Sequence, residues 1–253
     1  MNKTRLSRVI ANMEAQSLEQ IVVTSTSSVY YLTGIHVEPM ERMLALYIHT
    51  SGRCVLYANE LFAIPPQEDL ELLLHTDSDD PAALLAAGVA SGRLGIDKSW
   101  PSKFLIRVLE ARPDVAPVLG SAPVDEARMI KDEAEIAAMR RASRINDQVV
   151  GQAIAALQEG DSVVLDIFIP IGRYWCDMTR TVFFRSASEE GRRVYETVKA
   201  ANLAAEAVIR PGMPMREIDR AARRVIEEAG YGPHFTHRLG HGCGLDCHEP
   251  PDN

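Results

Sequence analysis

Apolar residues recur along this chain with two different periods. Leu6, Val9, Ile10 and Met13 fall three and four apart, the spacing of one helix face. Ile21-Val22-Val23 is a short apolar run and reads as a strand. Met43 to Ile48 and Cys54 to Tyr57 read as a hairpin around Thr50-Ser51-Gly52. Pro81 to Ala90 reads as a helix, Leu94 to Ile96 as a strand and Ser102 to Ala111 as a further helix. Alternation of strand and helix predicts a layered α/β domain over residues 1–122. The region holds no GxGxxG and no Walker A pattern, so no nucleotide fingerprint is present.

The stretch from Pro123 to Arg128 reads as a boundary, after which the organisation changes. Asp132 and Glu135 make a start of capping-box type. Ile136, Met139, Ala142, Ile145 and Val149 continue a helical stripe that predicts a long helix ending near Glu159-Gly160. Strands follow at Ser162 to Ile169 and Tyr174 to Phe184. Pro170 lacks an N–H and belongs at a strand end or sheet edge. Ser188 to Ile209 reads as a second long helix stopped by Arg210-Pro211-Gly212, and Met215 to Ala229 as a third, ending at Gly230. His237 to His248 is Gly-rich, lacks helical period and reads as strand and loop. A weak repeat links Val149–Gly160 to Ala201–Gly212. The second copy leads into another helix and the first straight into strand, so the halves are unequal. Residues 123–253 therefore predict an α+β domain.

Composition narrows the function more than the fold. The 253 residues are 46% hydrophobic and 25% charged, ordinary for a globular protein. No run approaches the roughly 18 apolar residues of a membrane span, and the N-terminus has no apolar h-region. A cytoplasmic protein with no membrane partner is expected. The formal net charge of −8 disfavours nucleic acid as a partner. Four cysteines are too few for a disulfide scaffold, and reduced thiols are expected. Cys243 and Cys247 lie near His241 and His248 in sequence, which leaves a Cys/His zinc site open.

The chemistry concentrates in two segments. In VVLDIFIPIGRYWCDMTRT, a hairpin tip at Ile171-Gly172 makes Asp166 and Asp177 direct cross-strand neighbours, with Cβ atoms about 4.5–5.5 Å apart. Two carboxylates that close repel each other and call for a cation or a shared proton. The alternatives are a turn-capping aspartate with its fellow paired to Arg180 or Arg173, or a proton-sharing dyad. The segment HRLGHGCGLDCHEPP, residues 237–251, holds three histidines. Gly240, Gly242 and Gly244 are expected to let backbone approach a ligand. His241 would complete a mixed nitrogen and oxygen metal site, with His248 a second ligand or a donor to a substrate carbonyl.

HRLGHGCGLDCHEPP resembles the His motif of prolidases and related Xaa-Pro aminopeptidases. VVLDIFIPIGRYWCDMTRTVFF resembles their two-aspartate hairpin, and RMIKDEAEIAAMRRAS their lead-in helix. Tyr31-Leu32-Thr33-Gly34 and Leu94-Gly95-Ile96-Asp97 resemble landmarks of the creatinase-type N-terminal domain. The resemblance implies a creatinase-type α/β domain over 1–122 and a pita-bread catalytic domain over 123–253. It implies two divalent ions (Mn, Co or Zn) held by Asp166, Asp177 and His241, with Asp177 bridging. His248 would lie beside the scissile bond, and His237 would help bind substrate. The implied reaction is attack of a metal-bridged hydroxide on Xaa-Pro dipeptides or Xaa-Pro N-termini, by an enzyme that is often a homodimer.

The family's ligand set also includes two glutamates after the His motif, and a further catalytic histidine comes before the first aspartate. No residue here matches them, Glu249 included, so the pita-bread domain is expected to be partial. Creatinase shares the fold without metal, and retention of Asp166, Asp177 and His241 argues against it. Methionine aminopeptidase shares it too, but the N-terminal domain argues for the prolidase branch. The alternative of another class is a non-catalytic pita-bread module that binds peptides or proteins.

Overall fold

The computed structural model describes residues 1–157 and 162–252. The chain divides into two compact units, Met1–Ile130 and Lys131–Asn253. The division falls after the stretch expected as a boundary. Pro123 to Arg128 is folded as helix within the first unit, with Pro123, Val124, Ala127 and Arg128 buried.

In the first unit the elements are α1 (Lys3–Ala15), β1 (Gln20–Val23), α2 (Thr26–Thr33), β2 (Ala45–His49), β3 (Cys54–Asn59), β4 (Glu71–His75), α3 (Pro81–Gly88), β5 (Gly92–Ile96), α4 (Ser102–Ala111), β6 (Val115–Leu119) and α5 (Ala122–Met129). The six strands form one mixed sheet in the order β4-β3-β2-β1-β5-β6. Strands β1, β2 and β3 pair antiparallel, whereas β1–β5, β5–β6 and β3–β4 are parallel. Ala45, Tyr47, Val55, Tyr57 and Leu94 pack on one side against Ala82, Leu85 and Ala86 of α3 and Phe104 and Val108 of α4. The alternate positions Leu46, Ile48 and Leu56 are also fully buried. Both sheet faces are therefore covered, and each such side chain contributes about 1.5–3 kcal/mol. Helix α1 is tied to α5, since Asn12 Nδ2 donates to the Pro123 carbonyl at 2.9 Å.

The second unit contains α6 (Glu133–Ala155), β7 (Ser162–Ile171), β8 (Tyr174–Phe183), α7 (Glu189–Val208), α8 (Met215–Glu228), β9 (His241–Gly242) and β10 (Glu249–Asp252). The capping box forms as the sequence predicts: Asp132 accepts from the Glu135 N–H, and Glu135 accepts from the Asp132 N–H. The expected helix end at Glu159-Gly160 lies outside the described residues. Helix α6 lies along one face of the β7–β8 hairpin, where fully buried Asn146 donates to the Ile167 carbonyl at 2.6 Å. Pro170 sits next to the end of β7, as expected. Helices α7 and α8 pack through Ala201, Ala205 and Ala222 with Ile218 and Ile226, small residues that let the axes approach.

Candidate metal centre

The β7–β8 hairpin turns at Gly172-Arg173, both left-handed with φ of 58° and 71°. Two consecutive left-handed residues make a type I′ turn, whose twist matches that of the strands. The tip therefore lies one residue beyond the expected Ile171-Gly172, and each cross-strand partner moves by two. Asp177 stands opposite Phe168, and Asp166 opposite Thr179. The aspartates are diagonal rather than direct neighbours, which corrects the expected register. They still share the open face of the hairpin, because side chains alternate with period two. Thr179 Oγ1 donates to Asp166 Oδ1 at 2.7 Å, so a hydroxyl rather than an arginine meets this carboxylate.

The His segment packs against β8. Trp175 N donates to the Gly244 carbonyl at 2.8 Å, and Cys243 Sγ donates to the Trp175 carbonyl at 3.3 Å. These contacts bring His241 and His248 over Asp177. Donor atoms of Asp177, His241 and His248 all lie within 4.8 Å of one another. The two imidazoles meet edge to face with centroids 4.0 Å apart. Asp166, also expected as a ligand, lies outside this group of three. His237 lies outside it as well, with its ring against Phe235 at 5.8 Å and Nδ1 donating to the Arg238 carbonyl at 2.8 Å.

The protonation logic of His241 favours a cation. Its Nδ1 lies 2.9 Å from the Gly242 carbonyl, which can only accept, so Nδ1 carries the hydrogen. The remaining nitrogen, Nε2, faces Asp177 Oδ2 at 3.6 Å. Two electron-rich atoms confront each other unless a proton or metal ion lies between them. A carbonyl-held imidazole beside a carboxylate is a common outer arrangement of metal histidines. The donor set therefore fits a divalent ion.

Neither cysteine belongs to the donor group. Burial, and then the neighbouring Cys247, Glu249 and Asp177, push the Cys243 thiol up to about 12. Its Sγ is engaged with the Trp175 carbonyl and lies outside the donor group. Cys247 Sγ lies 4.0 Å from Asp177 Oδ2, and its thiol is raised by burial and then by Asp177 and Asp166.

The glycines act differently from expectation. A Cβ on Gly242 would lie 2.3 Å from the Glu249 carbonyl oxygen, and one on Gly244 would lie 2.3 Å from Glu249 Oε1. These two glycines make room for β10 and its buried carboxylate, not for a ligand. A second support comes from α8. Asp219 and Arg223 pair one turn apart, Asp219 accepts from Leu239 N, and Arg223 donates to the Phe235 and His237 carbonyls. The Arg223 hydrogen bond, with help from Leu239 N, holds the Asp219 carboxyl below its usual range. Sequence reasoning missed this brace. Its signal, Asp and Arg four apart on a helix, is common on solvated faces.

The two units thus comprise an α/β domain with both sheet faces covered and an α+β domain that presents an Asp/His donor group on an open hairpin face. Residues 5–130 match the Creatinase/Prolidase N-terminal domain and residues 136–253 match Metallopeptidase family M24. An uncharacterized peptidase of Staphylococcus aureus strain USA300 is 28% identical over 309 residues, spanning 98% of this chain and 86% of that protein. The matched span exceeds the chain's own 253 residues, so this relative carries internal stretches with no counterpart here. The crystal structure of a recombinant prolidase from Thermococcus sibiricus superposes with a TM-score of 0.89 at 26% identity, covering 100% of this chain and 84% of that one. A dipeptidase from Pyrococcus horikoshii OT3 gives 0.87 at 26% identity, covering 98% and 84%. The chain belongs to the pita-bread metallopeptidases of family M24, in the branch that carries a creatinase-type N-terminal domain.

Proposed function

We propose that this protein takes part in metal-dependent hydrolysis of short peptides, with Xaa-Pro dipeptides or Xaa-Pro N-termini as substrates. The observation that carries the reading is the confrontation of His241 Nε2 with Asp177 Oδ2, with His248 in the same group. Asp177 and His241 would hold the ion, and Asp166 would add a second carboxylate from the same hairpin face. When bound, divalent ions (Mn, Co or Zn, two in the full family set) polarise a carbonyl and lower the pKa of water. His248, exposed beside His241, would donate to the carbonyl oxygen as negative charge builds there. Phe168, directly opposite Asp177, would give the peptide side chain an apolar floor. His237 would hold the substrate further out. A homodimer in the cytoplasm completes the reading. The proline preference rests on the prolidase relatives.

The test measures bound metal and hydrolysis on one sample. Asp177→Asn is expected to lower metal affinity by more than the ~10–100-fold typical when an outer partner is removed. His248→Ala is expected to lower turnover more than metal content. Unchanged metal content in Asp177→Asn would overturn the ligand assignment. Equal rates on matched Xaa-Pro and Xaa-Ala dipeptides would overturn the proline preference. A second reading, metal or peptide binding without turnover, is favoured by one observation: of the five family ligands, two, Asp177 and His241, gather among the described residues. Bound metal with no hydrolysis of either dipeptide would select it.

A further inference from the structure

Two carboxylates near the centre are almost fully buried and are not among its donors. Glu135 is 3% exposed and Glu249 is 5% exposed. Burying a carboxylate is costly unless it is fully bonded. Tyr174 Oη donates to Glu135 Oε1 at 2.6 Å, and Asp132 N donates to Glu135 Oε2 at 2.8 Å. Lys131 Nζ donates to Glu249 Oε1 at 2.8 Å, and Asp246 N donates to Glu249 Oε2 at 3.1 Å.

These bonds form a closed circuit. It runs from Lys131-Asp132 through Glu135 to Tyr174, and along β8 to Trp175. The Trp175 N–H then reaches the Gly244 carbonyl. Gly244 N donates to the Asp246 carbonyl, Asp246 N reaches Glu249, and Glu249 returns to Lys131. Asp177 lies three residues beyond Tyr174 on β8. His248 adjoins Glu249, and Glu249 pairs with Gly242 beside His241. All three donors therefore hang on the circuit, and both arms start from adjacent residues at the start of α6.

We infer that Lys131, Glu135, Tyr174 and Glu249 are positioning residues that fix the distance between β8 and the His segment. The inference rests on reading the donor group as a metal site, and deepens it. Two ties to one helix turn resist relative sliding of the donor strands, which either tie alone would allow. The Glu249 carboxylate occupies the space that Gly244 leaves by lacking a side chain, which couples the circuit to the backbone contact of Trp175.

The test compares Glu249→Gln and Tyr174→Phe with the parent, using amide exchange in the metal-free protein and titration with Zn2+. Neither substitution touches the Trp175 N–H. Positioning predicts that this amide exchanges about tenfold faster in both variants while α8 amides keep their protection. Zn2+ affinity is expected to fall about 10–100-fold, the range for partners outside the ligand shell. Lys131→Arg, which keeps the charge, should retain both properties and covers the case of a variant that fails to fold. Unchanged Trp175 protection in Glu249→Gln, or unchanged Zn2+ affinity in a variant whose Trp175 has loosened, would overturn the inference. A parent protein that binds no Zn2+ would overturn the metal reading, and the exchange comparison would still decide the circuit.

Discussion

The two units differ most in the apolar bulk that each buries. The largest fully buried side chains, Tyr31, Tyr47, Tyr57, Met13 and Leu94 among them, all belong to the first unit. The second unit buries mainly small or medium apolar groups, such as Ala142, Ala201, Ala205 and Ala222. It leaves Val164, Phe168, Val198 and Leu203 about half exposed or more. Both interiors hold polar ties: Tyr47 to Gln20, Thr24 N to Asp97 and Arg128 to Ser28 in the first, and Lys131 to Glu249, Tyr174 to Glu135 and Asn146 to the Ile167 carbonyl in the second. Hydrophobic burial is non-directional and tolerates small shifts, whereas a hydrogen bond weakens steeply when misaligned. The contrast teaches that the first unit backs its polar ties with large apolar bulk, whereas the second has little such bulk behind the ties that place its donor atoms.

The comparison breaks most visibly at the sheet core. Leu94→Ala is expected to destabilise the first unit by about 2–5 kcal/mol through a cavity that a covered sheet cannot close. Denaturant unfolding followed at Trp100 reports it, and Zn2+ binding by the second unit should stay unchanged. Asn146→Ala is expected to cost about 0.5–1.5 kcal/mol by removing the hydrogen bond to the Ile167 carbonyl, with Zn2+ affinity falling alongside. A loss of stability with intact affinity would show the tie to be bulk support after all.

The mildest expected effect concerns pH. The Cys243 thiol is raised from 9.0 to about 12, so the folded protein holds this proton where the unfolded chain releases it. Its contribution to the second unit is full below about pH 9 and is lost as pH rises toward 12. Alkylation near pH 8 should mark unfolded Cys243 far faster than folded Cys243. Equal rates would mean that the Trp175 tie is open in solution.

Much of this was legible from pattern alone. Helix α4 has the bounds that the apolar spacing predicts, and the capping box at Asp132 opens α6 as read. Strand β4 escaped although Leu72-Leu73-Leu74 is an apolar run, and two other elements lack a periodic signal. Helix α2 is a short run of Thr, Ser and Tyr, and β6 is an edge strand containing Pro117. In the site, residue types identified His241, His248 and Asp177 as candidates. The register escaped because Arg173 in a left-handed conformation is not a choice that sequence advertises. The Lys131–Glu249 pair escaped because its members stand 118 residues apart, and only the fold brings them together.

The two-residue tip of the hairpin has one more consequence. In any such hairpin, facing residues carry numbers of opposite parity, one odd and one even. Asp166 and Asp177 are even and odd, so they share a face in every register that a two-residue tip allows. A slip of the kind that separates the expected pairing from the observed one leaves the chemistry on the same side. Inserting or deleting a single residue at Gly172-Arg173 would change the parity and turn one aspartate toward α6. The arrangement therefore resists sliding but not a one-residue change in length, and the tip is where sequence drift would switch the site off.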